Sequence, residues 1–417
     1  MKLLVVSQYF WPENFRVNEL VDELAARGHE VSVLTGRPNY PDGEVFSEFS
    51  RLPDSFGEYS GAKVYRVPLR PRGKGGFRLF LNYLSFIFWA SVLGPWMLRG
   101  RSFDAIFVFA SSPITSALPA LLLGKIKRAP VGVWVLDLWP ETLPAVGVVR
   151  SDALLRCIGL VVSFIYRRCD RIFVQSRAFF ASVERRTGDA ATTRYLPNWV
   201  EKAYESAATI EPAPEVAAFS RTFNVMFAGN IGEAQDFPSI LDAAERLRGV
   251  DDLRWLVVGD GRAMPGVQAQ IEERGLRGRV VLLGRHPAER MSAFFRAADV
   301  LLVSLKAHPV FAMTVPGKVQ TYMAAGLPIV GMLDGEGARV ITESGSGLVC
   351  RSGDPAALAR CVQDLVSMSE ERRDEMGRMG QAYCRREFAR EAVITRLEEM
   401  LVEMSSGIQN QRRAAVA

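Results

Sequence analysis

Lys318 is the residue whose type and position most directly suggest chemistry. The segment AMTVPGKVQTYMAAGLPIVG, Ala312 to Gly331, reads as a helix that opens at Pro316 and Gly317 and is followed by an apolar strand. A cation in the first turn of a helix is opposed by the helix dipole unless an anion neutralises its charge. We therefore predict that Lys318 binds a phosphate group, with a solvated surface lysine as the alternative.

Two glycine-bearing turns follow apolar runs earlier in the same half of the chain. Gly229 and Gly232 lie in AGNIGEAQDF, and Gly259 lies in VVGDGRAMPG with Asp260 after it. Glycine lets the backbone approach a ligand, and the next helix can direct free N–H groups at a phosphate; an ordinary strand-to-helix turn is the alternative. Neither half carries Gly-x-Gly-x-x-Gly after its first strand, which argues against a nicotinamide-dependent dehydrogenase.

Two carboxylates follow a strand in the first half of the chain. Asp137 ends the apolar run in VWVLDLWPETLPAVG, and Glu141 lies in the loop after it. Carboxylates at this position can hold sugar hydroxyls or transfer a proton, whereas capping of backbone N–H groups is the alternative. The loops SQYFWPENFR and GRPNYPDG supply polar candidates for the same region, with Arg16 and Arg37 suited to a phosphate: Asn14, Arg16, Arg37 and Asn39.

These residues must be positioned by alternating strands and helices. Apolar runs alternate with helical patterns through most of the chain, which predicts doubly wound parallel sheets. The predicted strands are Leu3 to Ser7, Glu30 to Thr35, Ala105 to Ala110, Val131 to Asp137, Arg171 to Ser176, Arg194 to Pro197, Phe223 to Ala228, Trp255 to Gly259, Val280 to Leu283, Val300 to Ser304 and Pro328 to Leu333.

The alternating pattern weakens after Asn198, so we place a domain junction there. We predict an N-terminal Rossmann-like domain over 1–200, a second over 201–388, and a returning C-terminal helix with a frayed tail over 389–417. Ligands of open α/β sheets bind beyond the carboxyl ends of the strands. We therefore expect the two domains to face a central cleft that holds the ligand.

Composition narrows the class of protein. The 417 residues are 48% hydrophobic and 23% charged, which is typical of a folded protein, and the net charge is +5. Five scattered cysteines without a CxxC pair indicate neither a disulfide framework nor a zinc site, so a reducing cytoplasm is expected. The N-terminus lacks the pattern of a signal peptide. The three histidines have no metal-ligand spacing, and no Asp-x-Asp pair for a metal-bound diphosphate is found.

A basic and apolar region suggests contact with a membrane. From Ser60 to Ser102 there are eight basic residues and no acid, and Leu79 to Leu98 is uncharged. A spanning helix would separate the strands of one sheet. An interfacial helix with basic flanks keeps the sheet intact, and a buried core helix is the remaining alternative. LLRCIGLVVSFIYRRCDR has the same character.

Five segments together resemble the bacterial retaining glycosyltransferases of family 4, most closely those of colanic acid and O-antigen assembly. These segments are YFWPENFRVNELVDELAARGHEVSVLTGRPNYPDG, DLWPETLPAVG, AGNIGEAQDF, GRHPAERMSAFFRAADVLLV and VPGKVQTYMAAGLPIVGML. The resemblance implies a GT-B fold, a nucleotide-sugar donor held by the C-terminal domain, an acceptor held by the N-terminal domain and no metal. It places Asp137 on the cleft strand of the N-terminal domain. On the donor side it places Asn230, Gly232, Gln235, His286 and Lys318.

The chain departs from the family pattern at three positions. Many members carry two glutamates before the MAAG turn, where this chain has Met313 and Thr321, and Gln235 stands near the place of a basic residue. The PGK sequence therefore gives Lys318 more weight, and Glu336 is the candidate for compensating ribose contacts. The predicted donor set also includes Pro316, Gly317 and Thr321.

The resemblance implies a retaining glycosyltransferase with catalytic candidates Asp137, Glu141 and Lys318. The expected donor is a nucleotide-diphosphate sugar, with UDP and an N-acetylated amino sugar favoured. The expected acceptor is an undecaprenyl-diphosphate-linked saccharide of O-antigen, capsule or exopolysaccharide synthesis. We expect a cytoplasmic protein, peripheral to the inner face of the cell membrane, with no cofactor, no metal and no nucleic-acid partner. A nucleotide-sugar 2-epimerase and a non-catalytic sugar-nucleotide binding protein are the alternatives.

Overall fold

The protein consists of two compact units, each built around one sheet. The computed structural model describes residues 1–41, 43–73, 75–145, 149, 151–201, 204 and 211–416. Unit 1 comprises Met1–Leu196 and Ile394–Ala417, and unit 2 comprises Pro197–Val393. Lys74, one of the eight basic residues noted above, lies outside the described residues.

The sheet of unit 1 has eight strands in the order β3-β4-β2-β1-β5-β6-β7-β8, all parallel except for the antiparallel pair β3 and β4. Its order reverses between β1 and β5, which makes the loops after these two strands the topological switch point. The strands are β1 (Lys2–Val6), β2 (Glu30–Gly36), β3 (Glu58–Tyr59), β4 (Ala62–Val67), β5 (Ala105–Ala110), β6 (Val131–Val135), β7 (Arg171–Val174) and β8 (Thr193–Tyr195). The central strands are apolar throughout because helices cover both faces.

The helices of unit 1 are α1 (Arg16–Ala26), α2 (Ser47–Arg51), α3 (Gly76–Met97), α4 (Ala117–Lys127), α5 (Thr142–Ala145), α6 (Asp152–Tyr166) and α7 (Phe179–Thr187). The connections β4 to β5, β5 to β6 and β6 to β7 all step in one direction along the sheet. Right-handed crossovers therefore place α3, α4 and α6 on one face, and α1, whose connection steps the other way, on the opposite face.

Unit 2 has a six-stranded parallel sheet in the order β11-β10-β9-β12-β13-β14, with its switch point between β9 and β12. The strands are β9 (Phe223–Ala228), β10 (Leu253–Val258), β11 (Val280–Gly284), β12 (Val300–Ser304), β13 (Ile329–Met332) and β14 (Gly347–Cys350). The helices are α8 (Phe237–Arg246), α9 (Met264–Glu273), α10 (Met291–Phe295), α11 (Pro309–Ala312), α12 (Gly317–Ala325), α13 (Gly335–Ser344), α14 (Pro355–Ser367) and α15 (Glu370–Glu387).

Alternate residues of the unit 2 strands enter two separate apolar layers. Trp255 and Val257 pack in the layer that includes residues of α8, α9 and α14. Leu256 and Val258 pack in the layer that includes residues of α10, α12 and α13. Both layers are fully buried, so the sheet holds the ends of its strands rigidly in place.

The last helix, α16 (Arg390–Val416), belongs to unit 1 from Ile394 onwards. The Glu398 carboxylate accepts hydrogen bonds from Arg27 at 3.1 Å and is paired with the His29 ring at 2.9 Å. The sequence predicted a returning helix, and these contacts attach it to the end of α1 and the residues just after it.

Three strands were missed from the sequence. β3 has two residues, and β4 alternates buried Ala62 and Val64 with exposed Lys63, which hides it within the basic region. β14 is a four-residue edge strand that begins at Gly347, a residue type that is rare in strands.

Asn82 anchors the apolar helix α3 to the sheet. Its Oδ1 accepts hydrogen bonds from Gln8 Nε2 at 2.7 Å and Tyr9 Oη at 3.2 Å, and its Nδ2 donates to the Arg70 carbonyl at 2.6 Å. Phe86, Ala90 and Gly94 continue the buried side of the helix at intervals of four residues. The opposite side of α3 is exposed and apolar.

We predict that Asn82→Leu, although it makes α3 more hydrophobic, lowers the free energy of unfolding by about 2 to 3 kcal/mol, because buried polar partners lose their hydrogen bonds. Leu84→Ala on the exposed side is the control and should change stability by about 0.5 kcal/mol or less. Urea titration followed by circular dichroism measures both. Unchanged stability in Asn82→Leu would contradict this anchoring role.

Candidate functional site

Three loops of unit 2 enclose a cavity of about 440 Å³. They follow β9, β10 and β11, and backbone hydrogen bonds join each loop to the next: Gly229 N–H to Val258 O at 2.8 Å, Ile231 N–H to Asp260 O at 2.9 Å and Gly259 N–H to Gly284 O at 2.7 Å. The cavity is lined by Gly229, Asn230, Val258, Gly259, Asp260, Gly261, Arg285, His286 and Met291. Five of the predicted donor-site residues are therefore brought together.

The glycines of these loops are required by contacts between loops. A Cβ on Gly259 would lie 1.9 Å from the carbonyl oxygen of Gly229, and one on Gly261 would lie 2.3 Å from that of Ile231. Gly229 has φ +128°, and a Cβ there would lie 2.8 Å from Cε of Lys318. The structure shows close approach of backbone to backbone and of backbone to Lys318, and the predicted close approach to a ligand stays a prediction.

Lys318 ends in a buried ammonium group beside this cavity. Its Nζ lies 3.3 Å from the centre of the Phe227 ring and has no hydrogen-bond partner among the residues that the structure describes. Phe227 and Gly229 lie at the carboxyl end of β9, and Lys318 is in the first turn of α12, so the ammonium is at the switch point of the sheet. This placement excludes the solvated surface lysine.

Burial lowers the pKa of Lys318 to about 7, because the charged ammonium loses its hydration. A cation–π contact with the Phe227 ring compensates only part of the lost hydration free energy. An anion would supply the missing partner. The predicted binding of a phosphate by Lys318 stays a prediction, and this geometry is the observation that supports it.

His286 and Gln235 are both held by hydrogen bonds inside unit 2. The His286 Nε2 lies 2.9 Å from the Leu283 carbonyl, which can only accept, so Nε2 carries the proton and Nδ1 accepts from Arg290 at 3.1 Å. The Gln235 Oε1 accepts from the Gly232 N–H at 3.0 Å and closes the loop after β9. The Asp260 carboxylate accepts from the Gly261 N–H at 2.7 Å.

The remaining predicted residues of unit 2 lie on α12 and α13. Pro316 is the N-cap of α12, Gly317 is its first residue, and Thr321 lies one turn beyond Lys318. Glu336 is in the first turn of α13, and its carboxylate is paired with Arg339 at 3.0 Å. Its proposed ribose contact stays a prediction.

In unit 1, Asp137 follows β6 and is largely buried. Burial raises its pKa to about 6, since the carboxylate loses hydration there. Burial raises the pKa of the Tyr83 hydroxyl on α3, the hydrogen bond with Ser112 after β5 opposes that shift, and the charge of Asp137 adds to it. The Tyr83 ring in turn lies 6.4 Å from that of Trp139. Asp137 is thus ionised at neutral pH but can take up a proton just below it.

Glu141 is in an ion pair with α7. Its Oε1 accepts from Arg186 at 2.7 Å and from the Ser182 hydroxyl at 3.1 Å. The structure therefore separates the two predicted carboxylates by environment: Asp137 has burial as the cause of its pKa shift, whereas Glu141 has a cationic partner.

Glu13 organises the two polar loops of unit 1. Its carboxylate accepts three backbone hydrogen bonds, from Phe10 at 3.0 Å and from Asn39 and Tyr40 at 2.8 Å each. Burial raises its pKa, and these bonds oppose that shift. The sequence alone does not reveal this role, because two of the three partners, Asn39 and Tyr40, lie 26 and 27 residues away.

The other candidates of unit 1 surround this network. Asn14 is exposed, Arg16 begins α1 and Arg37 is exposed after β2. The buried Asn39 accepts from the Arg72 N–H at 2.8 Å and donates to the Arg37 carbonyl at 3.0 Å. The Arg72 guanidinium lies 5.3 Å from the centre of the Tyr40 ring. Arg72 was counted with a basic surface, and the structure adds it to the polar loops.

Two family models match the chain. A glycosyl transferase 4-like domain matches residues 14–199, and glycosyl transferases group 1 matches residues 222–368. The chain is 30% identical over 262 residues to WbjE of Pseudomonas aeruginosa, which is named as a glycosyltransferase. The matched residues make up 60% of this chain and 64% of WbjE. The chain thus spans less than two thirds of that relative. It is 25% identical over 339 residues to Escherichia coli K12 WcaI, named for colanic acid biosynthesis, covering 78% of this chain and 82% of WcaI.

Solved structures share the fold at low sequence identity. Anabaena HepE in complex with UDP has a TM-score of 0.67 and 14% identity, covering 97% of this chain and 100% of HepE. HepE in complex with UDP-glucose gives a TM-score of 0.62 at 16% identity, covering 99% and 100%. The likeness confirms the predicted GT-B fold class.

We predict that Lys318→Met raises the free energy of unfolding by roughly 2 kcal/mol or more at pH 6.5, since each unit of pKa shift corresponds to about 1.4 kcal/mol. The folded-state pKa is below that of the unfolded chain, so the unfolded chain binds the proton more tightly. The cost of the lysine is therefore complete below pH 7 and fades as the pH rises towards 10.

Denaturant unfolding of both proteins at pH 6.5 and 9.5 measures this difference, which should shrink at the higher pH. The exposed Lys306 provides the control, as Lys306→Met should leave stability unchanged at both values. A variant Lys318→Met that is less stable than the native protein at pH 6.5 would overturn the assignment of an uncompensated ammonium.

Proposed function

The chain belongs to the group 1 glycosyltransferases, with a glycosyl transferase 4-like domain ahead of the group 1 domain, and we propose that it transfers a sugar with retention from a nucleotide-diphosphate donor to a lipid-linked saccharide. We assign the donor to unit 2 and the acceptor to unit 1. The product would be a precursor of a cell-surface polysaccharide, namely O-antigen, capsule or exopolysaccharide.

The buried, unpartnered ammonium of Lys318 is the observation that carries the donor assignment. A nucleoside diphosphate combines an anion that needs a cation with a base that needs a pocket. Lys318 supplies the first, and the cavity behind Gly229 supplies the second. The HepE structures named for UDP and UDP-glucose favour a uridine nucleotide. We extend this to a UDP-sugar, with an N-acetylated amino sugar as one option.

The chemistry follows from charge development. As the bond from the anomeric carbon to the diphosphate oxygen breaks, negative charge grows on the diphosphate. A preorganised cation in a site that excludes water stabilises this charge more than water does. Lys318 and the free N–H groups at the start of α12 would serve this purpose. With retention, the acceptor hydroxyl attacks on the face that the diphosphate leaves, and its proton passes to the departing diphosphate. No resident metal is needed in this scheme.

Asp137 would orient hydroxyl groups in unit 1. Its carboxylate is ionised above a pH of about 6 and accepts hydrogen bonds from sugars. The cations Arg16 and Arg37 lie in the loops that Glu13 holds, and we assign them to the diphosphate of an undecaprenyl-linked acceptor. The relation to WcaI, which is named for colanic acid biosynthesis, favours this class of acceptor.

The exposed side of α3 supports a peripheral position on the inner face of the cell membrane. The helix is long and apolar enough to cross a bilayer, but it connects β4 to β5 of one sheet and is anchored by Asn82. Seven large apolar side chains of α3 are exposed, including Phe88 at 57% and Trp96 at 63%. An interfacial helix would place these side chains in lipid while the protein stays on the cytoplasmic side.

For the donor site we predict that Lys318→Ala lowers kcat/KM for the UDP-sugar by about 10² to 10³, the cost of one preorganised charge donor in other enzymes. The assay measures saccharide transfer to a polyprenyl-diphosphate acceptor with EDTA present, and EDTA itself should not reduce the rate. The exposed Lys63→Ala provides the matched control and should keep the native rate.

Product analysis separates the competing functions. The anomeric configuration, read by proton NMR, should be the same in donor and product. An epimerised sugar formed from donor alone would indicate a 2-epimerase. Donor binding without turnover on any saccharide acceptor would indicate a binding protein.

For the membrane position we predict that Phe88→Glu with Trp96→Glu weakens binding to phosphatidylcholine vesicles at least tenfold, because both side chains leave the lipid. A matched control places the same two charges elsewhere, as Leu52→Glu with Met379→Glu, and should bind like the native protein. Vesicle co-sedimentation measures both. Equal binding by the two variants would refute the interfacial role of α3.

A further inference from the structure

The apolar surface of unit 1 extends beyond α3 to two neighbouring helices. Among the described residues, sixteen large apolar side chains are exposed, and thirteen of them lie on α3, α4 and α6. Those on α4 and α6 are Leu122, Ile126, Leu154, Leu160, Val161 and Phe164. The three helices lie on the same face of the sheet, so they form one apolar face.

A basic rim borders one edge of this face. Helices that connect parallel strands run opposite to the strands, so the C-terminal ends of α3, α4 and α6 lie at one edge. Each of these ends carries cations: Arg99, Arg101, Lys125, Lys127, Arg128, Arg167 and Arg168. The Lys127 ammonium links two of the ends by donating to the Leu98 carbonyl at 2.6 Å and the Arg101 carbonyl at 3.0 Å.

Within the rim, the ends of α4 and α6 enclose a notch of about 410 Å³. It is lined by Leu121, Gly124, Lys125, Arg128, Ala129, Val131, Arg167, Arg168 and Asp170. Four of these residues are cations, and the single acid, Asp170, is occupied by the Val131 N–H at 2.8 Å. The notch therefore has an excess of positive charge directly beside exposed Ile126 and Phe164.

The helix dipole accounts for Lys125 and Lys127 in the last turn of α4, but the last turns of α3 and α6 carry no cation, and the basic residues there lie beyond the helix ends. Arg128 lies beyond the last turn of α4 in a left-handed conformation with φ +54°, a position where glycine is usual. The Arg168 guanidinium lies 4.5 Å from the centre of the exposed Phe164 ring. Four cations thus line a cavity that opens next to an apolar face, and the Arg167 Nε also donates to the Arg186 carbonyl at 2.9 Å.

We propose that this notch binds the phosphate headgroup of an anionic glycerophospholipid whose acyl chains lie along α4 and α6. The proposal rests on the proposed position of the protein at the membrane. A phospholipid carries a phosphate next to apolar chains, and the notch places four cations next to an apolar face, so the phosphate can contact the cations while the chains contact the apolar face. A soluble phosphate can contact only the cations.

The test compares a notch variant with a charge-matched control. The notch variant carries Lys125→Gln, Arg128→Gln, Arg167→Gln and Arg168→Gln. The control removes four exposed cations of unit 2 through Arg221→Gln, Arg246→Gln, Arg296→Gln and Arg378→Gln. Thermal unfolding verifies that both variants fold. If the fourfold notch variant does not fold, the double variant Lys125→Gln with Arg128→Gln takes its place.

The first probe is short-chain phosphatidylglycerol below its critical micelle concentration, titrated by calorimetry with and without inorganic phosphate. The native protein and control should bind it, the notch variant should not, and phosphate should not compete. Absence of binding by the native protein, or full competition by phosphate, would overturn the lipid site whether or not the protein binds vesicles.

The second probe is co-sedimentation with vesicles of phosphatidylcholine, with and without phosphatidylglycerol. Each cation near an anionic surface increases the affinity about fivefold. The ratio of the affinities for anionic and neutral vesicles should therefore be about a hundredfold or more lower for the notch variant than for the native protein. Binding of the notch variant to pure phosphatidylcholine should remain. Retention of the full preference would overturn the notch alone, whereas absence of native binding to both vesicles would overturn the membrane position as well.

Discussion

The central constraint on unit 2 is a buried ammonium without a counter-charge. Lys318 Nζ contacts the face of Phe227, and within the described part of the chain it has neither a counter-charge nor a hydrogen-bond partner. Glycine at residue 229 leaves room for this position of the side chain, since a Cβ there would lie 2.8 Å from Cε of the lysine and the lysine would have to shift. Such a group destabilises the free protein, and the anionic ligand that we propose would stabilise it, which is a common relation between stability and activity at binding sites.

The sheet of unit 2 explains where this ammonium lies. β9 and β12 diverge at the switch point, β9 supplies Phe227 and Gly229, and α12, which comes after β12, supplies Lys318. The hydrogen-bonded loops after β9, β10 and β11 form the adjacent cavity, and Gly229, Gly259 and Gly261 are part of its lining. In unit 1, the Glu13 carboxylate holds two loops in place by accepting hydrogen bonds from their backbone N–H groups.

Local features of the sequence predicted the fold class and the place of Lys318 in the first turn of a helix, and the resemblance of five segments predicted the family. The alternation of apolar runs and helical patterns is a local signal, as is a lysine in the first turn of a helix. The roles of Glu13, Arg72 and Asn82 depend on partners 26 to 74 residues away, which composition and spacing do not report. The strands β14 and β4 carry weak local signals for a different reason. β14 is short and begins with glycine, and β4 alternates buried and exposed residues. The ligand contacts of Glu336, Gln235 and the acceptor loops remain predictions.

Calorimetric titration with UDP in two buffers of different ionisation enthalpy tests the central claim most directly, because it counts the protons taken up on binding. At pH 8 Lys318 of the free protein is mostly neutral, and the diphosphate should restore its charge. We expect close to one proton to be taken up by the native protein and none by Lys318→Met. Binding of UDP by the native protein without proton uptake would contradict the claim.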